Sequence, residues 1–259
     1  SRLFYKKDAP ELLRHELAVR GYRPAPIAVG INTDAYQPGE RKLKIMRRIL
    51  ELLVECRHPF SIVTKSALIE RDLDLLKEAV AHKLVSVAVS ITTLDRALAR
   101  RMEPRAATPQ RRLDAIRALA EAGIPVAVMT APLIPALNDA ELDDILAAAA
   151  EAGATEAGYV VLRLPLEIKD LFREWLEGAH PDRAQRVMKL VRDMRGGRDY
   201  DPDWNTRMTG RGPVADLIAM RFATAIKRYG LDAPRHQQDE SQFRVPPDMR
   251  KQMDLFDAA

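Results

Sequence analysis

Five short apolar runs punctuate the chain: Ile27-Ala28-Val29, Ser61-Ile62-Val63-Thr64, Val85-Ser86-Val87-Ala88-Val89, Val126-Ala127-Val128-Met129 and Tyr159-Val160-Val161-Leu162. Each is close to continuously apolar rather than alternating, which is the pattern of strands covered on both faces. Between them apolar residues recur at helical spacing: Leu43, Met46, Ile49, Leu50 and Leu53, then Leu73, Leu76 and Val80. Leu113, Ile116 and Leu119, then Leu142, Ile145 and Leu146, continue the series. Successive runs lie about 25 to 40 residues apart, the length of a βαβ unit, so the strands are predicted to be parallel with right-handed helical crossovers.

Turn signals mark the same boundaries: Gly21-Tyr22-Arg23-Pro24, His58-Pro59, Gly123-Ile124-Pro125 and Gly153. Residues 9 to 20 read as a helix ahead of the first visible strand, hence as the crossover of a unit whose own strand lies upstream. The chain opens Ser1-Arg2-Leu3 without an initiator Met, which fits a protein that continues upstream. Five visible strands and one upstream predict an α/β fold, a partial (β/α)6 barrel short of the eight strands of a closed one. After residue 165 the rhythm stops; helices are predicted around 181 to 195 and 214 to 229. The expected organisation is a barrel over 1–165, a helical extension packed on it over 166–232, and a polar, flexible tail over 233–259.

Composition narrows the class. The 259 residues are 47% hydrophobic and 30% charged, enough apolar material for a core. A net charge of +4 permits an anionic partner without requiring one. One cysteine, Cys56, excludes an intrachain disulfide and any iron–sulfur or cysteine-rich zinc site built from this chain alone; it reads as a half-buried residue. The five histidines, His15, His58, His82, His180 and His236, show no ligand spacing, so no metal site is predicted. No apolar run reaches membrane-spanning length and no signal peptide leads the chain, so a cytoplasmic location is expected.

In parallel α/β folds ligands bind where strands end, and the residues after each run are polar. They are Asn32-Thr33-Asp34 with Tyr36-Gln37, Lys65-Ser66, Ser90 with Thr92-Thr93, Thr130-Ala131-Pro132 with Asn138-Asp139, and Arg163. Together they would suit a polar ligand carrying a carboxylate and an amine. Simpler readings stand beside this one. Asn32 and Asp34 would be turn or capping residues, Ser90 a cap, Asn138-Asp139 a helix N-cap, and Arg163 a partner of Glu103 or Glu167. Lys65, at the end of an apolar strand, reads as an anion-binding residue rather than a structural ion pair.

Several segments carry a resemblance. Gly30-Ile31-Asn32-Thr33-Asp34-Ala35-Tyr36-Gln37-Pro38, Ile62-Val63-Thr64-Lys65-Ser66 and Val87-Ala88-Val89-Ser90 resemble the radical S-adenosylmethionine (SAM) proteins related to spore photoproduct lyase. So do Met102-Glu103-Pro104-Arg105-Ala106-Ala107 with Arg112, and Ala131-Pro132-Leu133-Ile134-Pro135-Ala136-Leu137-Asn138-Asp139. The likeness runs from near the first residue to about residue 230. It implies a barrel that binds SAM and a [4Fe–4S] cluster and cleaves SAM reductively to methionine and a 5′-deoxyadenosyl radical. By the same likeness Thr33 and Asp34 would sit near the methionyl amine, Lys65 near its carboxylate and Ser90 near the ribose or carboxylate. Pro132 and Asn138 would lie near the adenine, Arg163 at the far wall, with Asn32 and Ser66 in the same cofactor site. The family's cluster-binding Cys-x3-Cys-x2-Cys loop is absent from these residues and is expected upstream.

Arg192, Arg195, Arg198, Arg207 and Arg211 surround Tyr200 and Trp204, a mixture suited to holding phosphates while stacking on bases, with a solvated helix–loop face as the plain alternative. DNA or a DNA lesion is the substrate this suggests, and Tyr200 is a candidate hydrogen-atom relay by the same family likeness. Gln252-Met253-Asp254-Leu255-Phe256 resembles the peptide by which bacterial repair proteins bind the sliding clamp. Leu255 and Phe256 would fill an apolar pocket and Gln252 would bond at its rim. Two rival readings remain: a cluster-free barrel that serves as a clamp-tethered adaptor, and a lyase using Lys65 as a Schiff-base amine.

Overall fold

A computed structural model describes residues 5–247. In chain order its elements are α1 (Ala9–Leu17), β1 (Ile27–Val29), α2 (Glu40–Leu43), α3 (Ile45–Glu55), β2 (Phe60–Thr64), α4 (Leu73–Ala81) and β3 (Val85–Ser90). There follow α5 (Arg96–Met102), α6 (Pro109–Glu121), β4 (Val126–Leu133), α7 (Leu142–Glu151), β5 (Glu156–Val161), α8 (Ile168–Ala179), α9 (Pro181–Asp193) and α10 (Pro213–Tyr229). Short 3-10 turns, Ala67–Asp72 and Asp139–Glu141, lead into α4 and α7. The strands form one parallel sheet in the order β1-β2-β3-β4-β5, so each apolar run became a strand beside its predecessor. Ile27 registers with Phe60 and Ala127 with Glu156.

Burial corrects the reading of the strands as covered on both faces. In β2, Phe60, Ile62 and Thr64 are buried while Ser61 and Val63 are half-buried; in β3, Val85 and Val87 are buried while Ser86 and Ala88 are not. β4 repeats the alternation, with Val126, Val128 and Thr130 buried and Ala127, Met129 and Ala131 half-buried. Bulky side chains close one face and small ones leave the other partly open. Because the open face is mostly alanine, serine and valine, hydropathy hid the period of two. At Gly158 in β5 even a Cβ would come within 2.9 Å of the Met129 side chain.

The chain divides into two compact units, one of Ser1–Ala88, Ala118–Pro125 and Arg235–Ala259, the other of Val89–Arg117 and Val126–Pro234. This differs from boundaries at 165 and 232. In the second unit, Leu98, Ile134, Leu162, Leu176, Val187 and Val191 make one core cluster, so α8 and α9 share a core with residues of α5 and of the loops after β4 and β5 rather than forming a layer of their own. The sequence reading had missed α8; the other two late helices fall where predicted. α10 begins with Pro213 after Gly212 and ends at Gly230, whose φ of +66° is the left-handed cap that glycine supplies without strain.

In the first unit, α1 packs on α3, and a cluster of Leu17, Leu52 and Cys56 is covered by Leu13, Tyr22 and Phe243. Cys56 is 0% exposed rather than half-buried. The described part of the predicted flexible tail is likewise a correction. The Asp239 amide donates to the Lys83 carbonyl at 3.0 Å and that of Arg244 to the Cys56 carbonyl at 2.8 Å. The Gln238 amide reaches Ser86 Oγ at 2.8 Å, and Phe243 packs against the rings of Tyr22 and His58. Residues 235–247 are a strap, because Phe243 has an apolar socket and the strap's polar groups find backbone partners. Gln252, Leu255 and Phe256 lie outside the described residues.

Candidate functional site

The loop after β1 is built around Asp34. Its carboxylate accepts the Tyr36 amide at 2.8 Å, the Thr64 hydroxyl at 2.7 Å and the Lys65 amide at 2.7 Å. The first of these is an Asx turn, so the turn reading of Asp34 is the observed one; the other two fasten the loop to the end of β2. Gly30 permits the approach: with φ at +91°, a Cβ there would lie 2.1 Å from the Val63 carbonyl oxygen. Asn32 and Thr33 are exposed, and Lys65 is half-buried. Asn32, Thr33 and Asp34 also line an apolar groove of about 930 Å³ that runs along β1 beside Ile27 and Met46.

The same loop is fastened again by charge. Glu40, 6% exposed, accepts the Ile45 amide at 3.0 Å and so caps α3, and it meets Arg71 at 2.9 Å. Asp72, 0% exposed, pairs with Arg71 at 2.7 Å and Arg47 at 3.0 Å. Tyr36 is buried beside this network, with the Arg71 guanidinium 5.9 Å from its ring, and burial followed by the Asp72 charge pushes its phenol well above the ordinary value. Ser66 caps the following turn by accepting the Leu68 amide at 3.2 Å.

In the second unit the segment after β3 is braced by side chains to which the sequence reading assigned no such role. Arg112, 2% exposed, donates to the Ser90 carbonyl at 3.0 Å and to Glu103 at 2.6 Å. Glu141 accepts the Thr93 hydroxyl at 2.6 Å and the Leu94 amide at 2.7 Å. Ser90 is 3% exposed. Asn138, at 0% exposure, donates to the Thr92 and Pro132 carbonyls at 2.8 and 3.0 Å and accepts the Ile134 amide at 2.6 Å. Its amide is spent on three backbone groups, and Pro132, after a cis peptide bond, is half-buried. Arg112 and Glu103 each stand where a strand-end carbonyl or hydroxyl needs a partner.

Arg163, at the end of β5, corrects its expected pairing: it donates to the Tyr200 hydroxyl at 3.2 Å and approaches Met208 Sδ at 3.8 Å, while Glu103 is held by Arg112. Arg195 is a further correction. It is 1% exposed and donates to the Leu162 and Thr206 carbonyls at 3.0 and 2.9 Å, so it belongs to the core and not to a nucleic-acid surface. The rest of that loop is open. Trp204 is 77% exposed, the Arg207 guanidinium lies 3.3 Å from its ring centroid, and Arg198 is exposed. Arg211 is 3.7 Å from Asp201. Asp199 is gripped by Arg192 and Arg173; burial alone would push its carboxyl up, but the two guanidinium groups hold it below the usual range.

Comparison with known proteins follows the same lines. The family model described as the radical SAM superfamily matches residues 4–149. An uncharacterized protein of Mycobacterium tuberculosis is 39% identical over 221 residues, which is 85% of this chain and 64% of that protein. One of Methanocaldococcus jannaschii is 32% identical over 136 residues, 52% of this chain and 49% of that protein. The chain thus spans about 64% of the length of the mycobacterial relative. Among solved structures, a substituted spore photoproduct lyase is similar with a TM-score of 0.56 at 14% identity, covering 89% of this chain and 66% of the other. A second lyase variant, solved with a dinucleoside spore photoproduct, gives 0.53 at 14% identity over 88% and 66%. At such identity these two share the fold.

Proposed function

The chain belongs to the radical SAM superfamily, and from that membership we propose that the complete protein cleaves SAM reductively to a 5′-deoxyadenosyl radical and acts on DNA or a DNA lesion. The superfamily implies SAM and a [4Fe–4S] cluster. For SAM the residues of the first unit fit: its sheet has a half-open face of small side chains, and polar groups follow the strands, Lys65 with the exposed Asn32 and Thr33. Asp34 serves such a ligand by holding the Lys65 segment in place. For the cluster the residues do not fit. Cys56 is fully buried, and among the described residues no group of His, Cys, Asp or Glu could hold a metal ion. The reading therefore requires thiolates from outside residues 1–259.

The observation that carries the reading is the family match over residues 4–149. Support for DNA comes from the exposed Trp204 with Arg207 on one face of its ring, the other side of a stacking platform being available for a base. The test is to express the complete reading frame anaerobically, reconstitute it with iron and sulfide, and assay 5′-deoxyadenosine from SAM and reductant. Product that disappears with Lys65→Ala supports the reading; no product, with no cluster absorbance, overturns it.

A partner reading has its own support. The strap of residues 235–247 is tied to the first unit, which gives the final peptide with Gln252, Leu255 and Phe256 a fixed point of departure. Sliding clamp is the partner this peptide fits, and Leu255→Ala with Phe256→Ala is expected to abolish capture by purified clamp. Retained capture would sink it.

A further inference from the structure

Apart from Glu103 and Arg112, which brace the segment after β3, the stretch from residue 96 to 112 has no role in the site described above. It holds six arginines against one acid, Glu103, a net charge of +5, whereas the whole chain carries +4. Residues 41–48 carry as much as this stretch, five cations and no acid, but Arg47 and Arg48 there are ion-paired. Two of the six are used internally, Arg112 with Glu103 and Arg111 with Asp114 at 3.1 Å. Arg96, Arg100, Arg101 and Arg105 are exposed and make no ion pair among the described residues. One of them, Arg101, donates to the Ala179 carbonyl at 3.4 Å.

Local energetics favour Arg100 and Arg101, which lie in the last turn of α5 where the helix dipole attracts cations, but not Arg96. Arg96 opens α5, where the helix dipole disfavours a cation, and it stands four residues before Arg100, where like charges repel. α5 is secured without them: Asp95 caps it by accepting the Ala97 amide at 2.7 Å, and Leu98 and Ala99 are buried. The chemistry of the face favours phosphodiesters. Its cations are all arginines, whose forked guanidinium matches phosphate oxygens. Because Leu98 and Ala99 point into the protein, α5 has no apolar stripe to insert into a membrane.

We propose that α5 and the turn after it, through Arg96, Arg100, Arg101 and Arg105, form a docking face for the phosphate backbone of nucleic acid, distinct from the Trp204 loop. This rests on the reading that the protein acts on DNA, and it assigns affinity to one face and base contact to another. The test is fluorescence anisotropy of a labelled duplex from about 50 to 200 mM salt, with Arg96→Gln, Arg100→Gln, Arg101→Gln and Arg105→Gln combined. Each phosphate contact contributes about 0.9 to the slope of log affinity against log salt, so the slope is expected to fall by up to about 3.6. Removing the same charge through Arg41→Gln, Arg48→Gln, Arg117→Gln and Arg186→Gln should leave it nearly unchanged, and circular dichroism should show both variants folded. If the wild type binds duplex and the first variant keeps its slope, the face is wrong while the DNA reading survives. If the wild type binds no duplex, both fail. Loss confined to phosphatidylserine vesicles would also overturn the proposal, in favour of a membrane surface.

Discussion

Two polar loops of similar appearance in sequence do opposite things. Residues 30–44 turn their acids inward: Asp34 and Glu40 are consumed by backbone amides and by Arg71, while Arg41, Lys42 and Lys44 stay exposed. Residues 195–212 bury one arginine, Arg195, and leave Trp204, Arg198 and Arg207 where a ligand can reach them. A carboxylate beside unpaired backbone donors becomes scaffold, because an orphaned buried amide costs more than the ligand contact is worth. Cations and an aromatic with no such partners stay available. The first loop should therefore respond to mutation in stability and the second in binding.

The largest expected effect is Asp72→Ala, which takes a fully buried carboxylate from Arg71 and Arg47 and leaves them Glu40, and Asp74 with Glu51, respectively; a loss of about 3 kcal/mol in urea unfolding is expected. Asp34→Ala removes three hydrogen bonds at once and should cost about 2 kcal/mol, with some loss of SAM affinity as the Lys65 segment loosens. An unchanged unfolding midpoint for either variant would break the contrast. Trp204→Ala should leave the midpoint within about 0.5 kcal/mol and weaken single-stranded DNA binding by about tenfold, the lower part of the range for one stacked base. Equal binding would return the loop to solvent.

The smallest effect concerns the strap. His58, 0% exposed, contacts the Tyr22 hydroxyl at 2.8 Å and the Pro59 carbonyl at 2.9 Å under Phe243, and burial pulls its pKa below the ordinary 6.5, opposed by its bond to Pro59 and by Glu240. A depressed histidine takes up its proton in the unfolded chain first. Stability contributed by neutral His58 is thus complete above pH 6.5 and declines as pH falls through 6.5 towards the lower folded value. Thermal unfolding of the wild type should show this decline, and His58→Phe should flatten it; an identical profile would remove His58 as its source.

The parallel α/β order was legible because β1 to β5 each carry an apolar run and a helix follows each at βαβ spacing. The open face was not, since Ser61, Ala88 and Ala127 look as apolar or as bland as their buried neighbours. Lys65 and Arg163 were legible as strand-end residues. Arg112, Glu103 and Glu141 were not, because their partners are main-chain groups and residues 9 to 48 positions away, and no local pattern encodes such pairings. The strap was missed for a related reason: Phe243 and Gln238 sit in a polar stretch, and only tertiary sockets at Tyr22, His58 and Ser86 hold them.

The most direct test of the account is 5′-deoxyadenosine release by the reconstituted complete protein with ultraviolet-irradiated duplex, with unirradiated duplex and without DNA. Faster release with irradiated duplex, lost on Trp204→Ala, is the predicted result. Equal release in all three conditions would contradict a DNA substrate while leaving the superfamily membership intact.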